Sequence, residues 1–452
     1  MSNMYNFVLV LSAASLLMYC ASANEKRALQ RWENEESQWE AARAAADDLG
    51  PDTGLDVYVR LALRNNRGLR SAFERWRAAL EEIAPARTLA DPRFTYGYFI
   101  DEVETRVGAQ QQRFSLVQTF PWIGKLDLAG RAALQAAEVE HQRYEAAKLD
   151  LVHRVQEAYF EYYYLQKSVE ITHENIQLMI FLEGVVRVKY KGGRGQHQAL
   201  IKTQIELGKL EDRLGTLRDR MRPFAARLNA ALSRPVRASL ASPTVLPDGG
   251  IDQTDEQLIA ALRQYNPELK AMEHLAAGQE LTAQMARRKA YPDMTVGVDY
   301  IVTGESRAAL PPPDSGKDPI VAMLSVNLPI WRDKYSATER EARARLRAVL
   351  YDREERENQL VANVEMALYG LRDAERRIAL YRDNLLPKAE QALKVSQQAF
   401  AAGESDFLDL IDAQRALLEF QLAHERARTD RVLRLAEIDR LSGRRPIAAP
   451  VD

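Results

Sequence analysis

The chain repeats itself, and anything the first half folds into must be folded again by the second. Ala62-Leu63-Arg64 precedes Asn66-Arg67-Gly68-Leu69-Arg70, while Ala261-Leu262-Arg263 precedes Asn266-Pro267-Glu268-Leu269-Lys270, the two asparagines standing 200 positions apart. Pro92-Arg93-Phe94-Thr95-Tyr96-Gly97 recurs at the same offset as Pro292-Asp293-Met294-Thr295-Val296-Gly297. Leu116 to Trp122 matches Leu324 to Ile330, with Pro121 on Pro329 and an offset of 208. The eight added residues fall in one loop, Gly304 to Asp318. Tyr190-Lys191-Gly192-Gly193 through Gln204 then matches Phe400-Ala401-Ala402-Gly403 through Gln414 at an offset of 210. At 452 residues the chain exceeds what one hydrophobic core serves, so a repeated or elongated build is expected.

The anchors divide the chain into a signal segment (1–23), a lead-in (24–54), repeat 1 (55–240), a linker (241–253), repeat 2 (254–443) and a tail (444–452). Each repeat reads as the same series. Leu55 to Leu89 and Thr254 to Ala290 are helical in composition and stop shortly before a proline, whose ring disfavours helix at the preceding residue. Two period-two segments follow in each copy, about 92–101 and 112–120 in the first, about 293–303 and 319–329 in the second. Phe94, Tyr96, Tyr98 and Ile100 form an apolar face there, and so do Leu324, Val326 and Leu328. The opposite face holds Thr95, Gly97, Ser115, Thr119, Thr295, Asp299, Ser325 and Asn327. After Pro121 and Pro329 the pattern becomes that of long helices, expected to reach Lys189 and Ala402 and to turn at tips near 190–197 and 400–407.

Those helices carry the spacing of a coil. Leu360, Val364, Ala367, Leu371, Ala374, Ile378, Tyr381 and Leu385 alternate gaps of four and three, and Leu149, Val152, Val155, Tyr159, Tyr162, Leu165 and Val169 run at threes and fours. A helix of about 70 residues at ~1.5 Å each is roughly 100 Å long. It must pack on other long helices. The strands suit a transmembrane barrel wall, apolar on one face and small or polar on the other. Four cannot close by themselves, and in lipid each unpaired backbone group at an open edge costs several kcal/mol. Other chains would have to complete the sheet.

Several function classes are disfavoured. Lys plus Arg number 62 against 64 Asp plus Glu, mixed along the chain, so there is no charge footprint for nucleic acid. His141, His153, His173, His197, His274 and His424 lack paired metal-ligand spacing, and no phosphate-binding loop follows Gly192-Gly193-Arg194-Gly195. No catalytic residues, no bound metal and no cofactor are expected. Phe7 to Met18 forms a secretory apolar stretch, too short to span a bilayer, and Ala21-Ser22-Ala23 offers cleavage before Asn24. Lipid attachment at Cys20, the single cysteine, is the alternative.

With its duplicated Asn-x-x-Leu segments, proline-bounded strand pairs and Tyr/Phe-x-x-Gly tips followed by Leu-x-x-x-Gln, the chain resembles TolC-like outer-membrane efflux proteins from about Leu55 to Gly443. Gln118-Thr119-Phe120-Pro121-Trp122-Ile123-Gly124-Lys125-Leu126 is similar to the heavy-metal efflux branch. The resemblance implies a mainly α fold with a small β part. Long coiled-coil hairpins form a periplasmic α-barrel, and four transmembrane strands per chain are completed to a β-barrel by trimerisation in outer-membrane lipid. It also implies contact of the tips at Gly193 and Gly403 with a periplasmic adaptor, an inner-membrane pump of the RND type, and a gate at the periplasmic aperture formed by Asp409 and Asp412. Repeat 1 carries Ala199 and Lys202 at the equivalent sites. A periplasmic adaptor and a soluble coiled-coil scaffold are the competing classes; an adaptor needs runs of β-rich domains at its ends, whereas here helices flank every strand pair.

Overall fold

The computed structural model describes residues 22–44, 49, 53–193, 197–241, 243 and 245–443. In chain order these form α1 (Ala23–Ala44), α2 (Leu55–Asn65), α3 (Arg67–Glu81), α4 (Ile83–Arg87), β1 (Arg93–Thr105), β2 (Gly108–Phe120), α5 (Lys125–Lys191) and α6 (His197–Ala231). The second half follows with α7 (Asp255–Tyr265), α8 (Pro267–Arg288), β3 (Met294–Thr303), β4 (Ile320–Val326), α9 (Arg332–Leu380), a π-helical turn (Tyr381–Leu385), α10 (Leu386–Ala402) and α11 (Phe407–Ser442). Two helical segments, two strands and long helices follow one another in each half. Cys20 and the tail 444–452 lie outside the described residues.

The chain gathers into two compact units. One comprises the stretch up to Trp32 with Glu74–His141 and Ala271–Glu354; the other comprises Glu33–Phe73, Gln142–Lys270 and the stretch from Glu355 on. Each unit draws on both repeats.

The first unit contains an antiparallel sheet in the order β1-β2-β3-β4. Phe94 pairs with Leu116, Leu116 with Val298 and Val298 with Ala322, and the next row runs Tyr96, Phe114, Tyr300, Ile320. β1 and β2 each run about four residues beyond the alternating segments read from sequence and meet in a tight turn, where Gly108 has φ +136°. A side chain there would strike the carbonyl of Gly304. The enlarged loop therefore folds onto the turn, with Gly304 donating to the Ala109 carbonyl at 2.8 Å and Gly316 to that of Val107 at 2.7 Å. β4 stops at Val326, short of the expected boundary. Asn327, expected on the polar face, lies beyond the strand and accepts a hydrogen bond from the Asp293 backbone. The lead-in begins as α1, capped reciprocally: Ser22 Oγ accepts from Glu25 N–H and the Glu25 carboxylate from Ser22 N–H. Glu25 is also ion-paired to Arg87.

The second unit is a packed set of helices. One core unites Ile176, Met179, Leu182 and Val186 of α5, Leu210 and Leu214 of α6, Leu393 of α10 and Leu410, Ile411 and Leu418 of α11. Another joins Leu258 and Leu262 of α7 to Leu360, Val364, Ala367 and Leu371 of α9 and Leu435, Ile438 and Leu441 of α11. Where the sequence suggested single helices, Asn66 and Asn266 break them, both in extended conformation. Asn66 Oδ1 accepts from the Leu69 backbone at 3.0 Å, and its Nδ2 donates to the Ala231 carbonyl at 2.9 Å. Asn266 does the same with Leu269 at 3.3 Å and Leu441 at 2.9 Å. Each asparagine thus starts one helix and secures the last turn of another, satisfying donors and acceptors that helix ends leave open.

The second long helix reaches Ala402 as expected but is not α-helical throughout. Pro387 lacks an N–H and crowds the carbonyl four residues back, and the backbone widens into the turn 381–385, where Leu386 N–H reaches Tyr381 O. The heptad residues are buried from Leu360 to Ala374 and become half-exposed at Ile378, Tyr381 and Leu385, where the turn disturbs their phase.

Candidate functional site: channel wall and hairpin tips

On the sheet, period two becomes two chemically opposite faces. Even-numbered positions share one face: Phe94, Tyr96 and Tyr98 on β1, Phe114 and Leu116 on β2, Val296, Val298 and Tyr300 on β3, Ile320 and Leu324 on β4. In a water-soluble sheet this side would be covered, yet Phe94 is 65% exposed, Ile100 90% and Leu324 70%. The phenylalanine and tyrosine rings contact across the strands, Tyr96 and Phe114 at 5.2 Å and Phe114 and Tyr300 at 6.4 Å. The odd face is concave. It encloses a cavity of about 660 Å³ lined by Arg93, Thr95, Arg113, Ser115, Thr119 and Thr295 among others. Thr119 and Thr295 hydroxyls meet at 3.0 Å, and the buried Asp299 is paired with Arg113. A convex apolar face and a concave polar face make this sheet a segment of a barrel wall with water inside and lipid outside. Both outer edges, on β1 and β4, are open in the single chain.

The stretch from Pro121 to Lys125 forms the hand-over from strand to helix. Gly124 has φ +80°, and a side chain there would meet the Arg288 guanidinium, which donates to the Ile123 carbonyl at 2.6 Å. Trp122 N–H donates to Asp293 at 2.7 Å, and Lys125 Nζ bonds the same carboxylate at 2.7 Å and the Tyr291 carbonyl at 3.1 Å. Trp122 also stacks on Tyr291 at 5.4 Å. The motif thus fastens the first copy's strand end to the second copy's strand start.

Glycines stand where α5 and α10 end. Gly193 and Gly403 adopt left-handed backbone, φ +70° and +83°. At the second tip Glu404 N–H reaches back to Ala399 O at 2.9 Å and Gly403 N–H to Phe400 O at 3.2 Å, closing the last turn. Asp406 caps the return helix through Phe407 N–H at 2.7 Å. Ring pairs bridge both turns, Tyr190 with His197 at 5.2 Å and Phe400 with Phe407 at 5.6 Å. Lys189 joins the two tips: its ammonium donates to the Phe400 carbonyl and lies 4.4 Å from that ring's centre.

Asp409 and Asp412 sit on the first turns of α11, exposed and one turn apart. Asp409 has no ionic partner among the described residues. Asp412 lies 3.3 Å from Arg415, whose Nε also donates to Glu206 of α6 at 3.1 Å. Arg415, hydrogen-bonded to Glu206, holds that carboxyl below the usual glutamate range. Lys189, Glu206 and Arg415 were not singled out from sequence. Glu206 and Arg415 are 209 positions apart, and only folding makes them neighbours.

The fold and site define a class: an outer-membrane channel subunit with a barrel-wall sheet and long helical hairpins. The family model described as outer membrane efflux protein matches residues 58–232 and 258–444, and the chain belongs to that family of channels, which are not enzymes. The pyoverdine export outer membrane protein OpmQ of Pseudomonas putida is 20% identical over 385 residues, 81% of each chain. Two solved structures have the same fold. The outer-membrane channel OprN superposes with a TM-score of 0.73 at 16% identity, covering 86% of this chain and 89% of that one. The outer membrane protein VceC from Vibrio cholerae gives 0.72 at 17% identity, covering 86% and 96%.

Proposed function

We propose that the protein is the outer-membrane duct of a tripartite efflux system, a passive exit for solutes delivered by an inner-membrane pump of the RND type through a periplasmic adaptor. The observation that carries this reading is the four-stranded sheet, apolar on its exposed face, polar on its concave face and open at both edges. Three copies, β4 of one beside β1 of the next, close a barrel of twelve strands and leave no edge in lipid. The tips at Gly193 and Gly403 supply the adaptor contact. Asp409 and Asp412, repeated in three chains, make an aperture of six carboxylates that attracts cations and resists close approach. Such an aperture favours cationic cargo, including the metal ions suggested by the strand-to-helix motif.

The N-terminus also enters this reading. The reciprocal cap between Ser22 and Glu25 survives processing before Cys20 and is destroyed by cleavage before Asn24, so we assign Cys20 as the lipid-bearing first residue of the mature chain. Mass spectrometry of the mature N-terminus checks it: a chain starting at Asn24 overturns the assignment. The channel reading is tested by cell fractionation and sizing of the purified protein. An outer-membrane trimer that resists detergent is expected; a monomer released without detergent refutes the proposal.

A further inference from the structure

The return helix of the first copy carries a stripe of arginines that the chain itself leaves unanswered. Arg213, Arg218, Arg220, Arg222 and Arg227 on α6, with Arg237 just after it, are exposed and have no ionic partner among the described residues. Glu211, Asp212 and Asp219 are the only acids on the same stretch. The second copy supplies the contrast. On α11, Arg426 pairs with Glu161 and Asp430, Arg428 with Glu425, Arg431 with Glu375, Arg434 with Glu437 and Arg440 with Asp150.

The unanswered charges are ordered. Leu210, Leu214, Leu217 and Leu228 form the buried seam of α6, and Arg213, Arg220 and Arg227 recur every seven residues, the first and last directly before a seam leucine and Arg220 before the half-buried Met221. From that flank a coil's charged side chains reach a neighbouring helix. Glu206, seven residues earlier, does so and meets Arg415. The arginines beyond it are spaced by ~10 Å along the helix. Phe224 lies 5.9 Å from the Arg220 guanidinium and 5.6 Å from that of Arg227, which holds two of them against the helix surface. A cleft of about 240 Å³ lined by Trp39, Arg64, Asn65, Arg67 and Arg70 lies alongside, since Arg67 N–H bonds Ser233 Oγ at 3.3 Å just past the end of α6. In the second copy Arg263 and Lys270 stand for Arg64 and Arg70, while Tyr265 and Pro267 replace Asn65 and Arg67, so one of the three cations of the cleft is missing there.

We propose, resting on the outer-membrane duct reading, that this face binds an extended polymer bearing carboxylates, the acidic glycopeptide of the periplasmic cell wall. A stripe roughly 20 Å long suits a chain of spaced anions better than one small ion, and guanidinium forks match carboxylates in pairs. A second copy of this protein is the poorer partner, because no described helix carries three acids at seven-residue spacing. The hairpin tips are a separate surface, Arg227 lying thirty residues, or roughly 45 Å, along α6 from its first residue His197.

The test is cosedimentation of the purified full chain, in detergent, with insoluble cell-wall sacculi. The wild type is expected to sediment with the wall and to be released as salt rises from about 50 mM to about 500 mM, where such charges are screened. The triple variant Arg213→Gln, Arg220→Gln, Arg227→Gln is expected to lose about tenfold in bound fraction while its oligomer survives. Wild-type protein should likewise fail to bind sacculi whose carboxylates have been amidated. Equal binding to amidated sacculi, equal binding by the variant, or absence of wild-type binding overturns the proposal. So does a variant that loses its oligomer while wild type binds amidated wall, because the arginines then serve contacts between copies.

Discussion

Asp412 shares Arg415 with Glu206, whereas Asp409 faces solvent unopposed, so the two carboxylates of the proposed aperture are not equivalent. Replacing both with alanine is expected to abolish most of the block of channel conductance by multivalent cations, and Asp409→Ala alone to account for the larger part. Bilayer recordings with unchanged block would remove the gate from these residues. Arg415 gives a pH dependence whose sign is fixed by its partner. Because Glu206 titrates below its ordinary value, the tie between α6 and α11 is fully present above the usual glutamate pKa of ~4.3 and weakens as pH falls through the lowered folded value. Arg415→Gln lacks the tie at every pH. It is expected to show at pH 7 the tip mobility, read by spin-label distances between α6 and α11, that the wild type acquires only once pH has fallen below the ordinary glutamate range. Neither Arg415 nor Glu206 was legible in the sequence, since their pairing depends on how α6 is laid against α11. Asp409 and Asp412 were named there only through the family resemblance, as the acids that follow Gly403, and their gating role is a proposal.

At the scale of elements, the repeated asparagines show how a sequence marker acquires a physical role. Asn66 and Asn266 were recognisable as register points of the duplication, but the helices they divide were read as continuous. Composition favours helix on both sides, and only the distant carbonyls of Ala231 and Leu441 explain why an asparagine interrupts them. Asn266→Ala removes a buried hydrogen bond and the start of α8, at an expected cost of about 1–2 kcal/mol measured by denaturant unfolding. Leu262→Ala, in the fully buried core beside it, should cost more, about 2–5 kcal/mol. The strands were legible in existence and face but not in extent. β1 and β2 lengthen because the loop from Gly304 to Asp318 folds onto their turn, while β4 shortens because Asn327 is engaged by Asp293. The break before Pro387 had its cause in plain view, yet the heptad pattern ran straight across it; a π turn keeps the helix going while the phase shifts.

For the whole molecule, the sheet makes a prediction that separates a membrane wall from a soluble one. Leu324→Arg places a charge on the outward apolar face at an expected cost of about 2–4 kcal/mol near the bilayer midplane, whereas Ser325→Arg, one residue on, faces the polar concavity and should be tolerated. The readout is the yield of detergent-resistant oligomer in outer membranes; equal yields would remove the strands from lipid. The amino-acid sequence by itself determined the duplication, the alternating faces of the strands, the coil spacing of the long helices and the absence of enzymatic motifs. These are local or periodic properties, and period two or three-and-a-half is written in residues a few positions apart. Only the tertiary structure decided that each compact unit draws on both repeats. It alone showed that Gly124, Lys125 and Asp293 lock the two copies together at the strand ends, and that the arginines of α11 are ion-paired while Arg213, Arg220 and Arg227 of α6 have no ionic partner among the described residues. Lys125 with Tyr291, Arg431 with Glu375 and Arg440 with Asp150 join residues 56 to 290 positions apart, which no local pattern encodes.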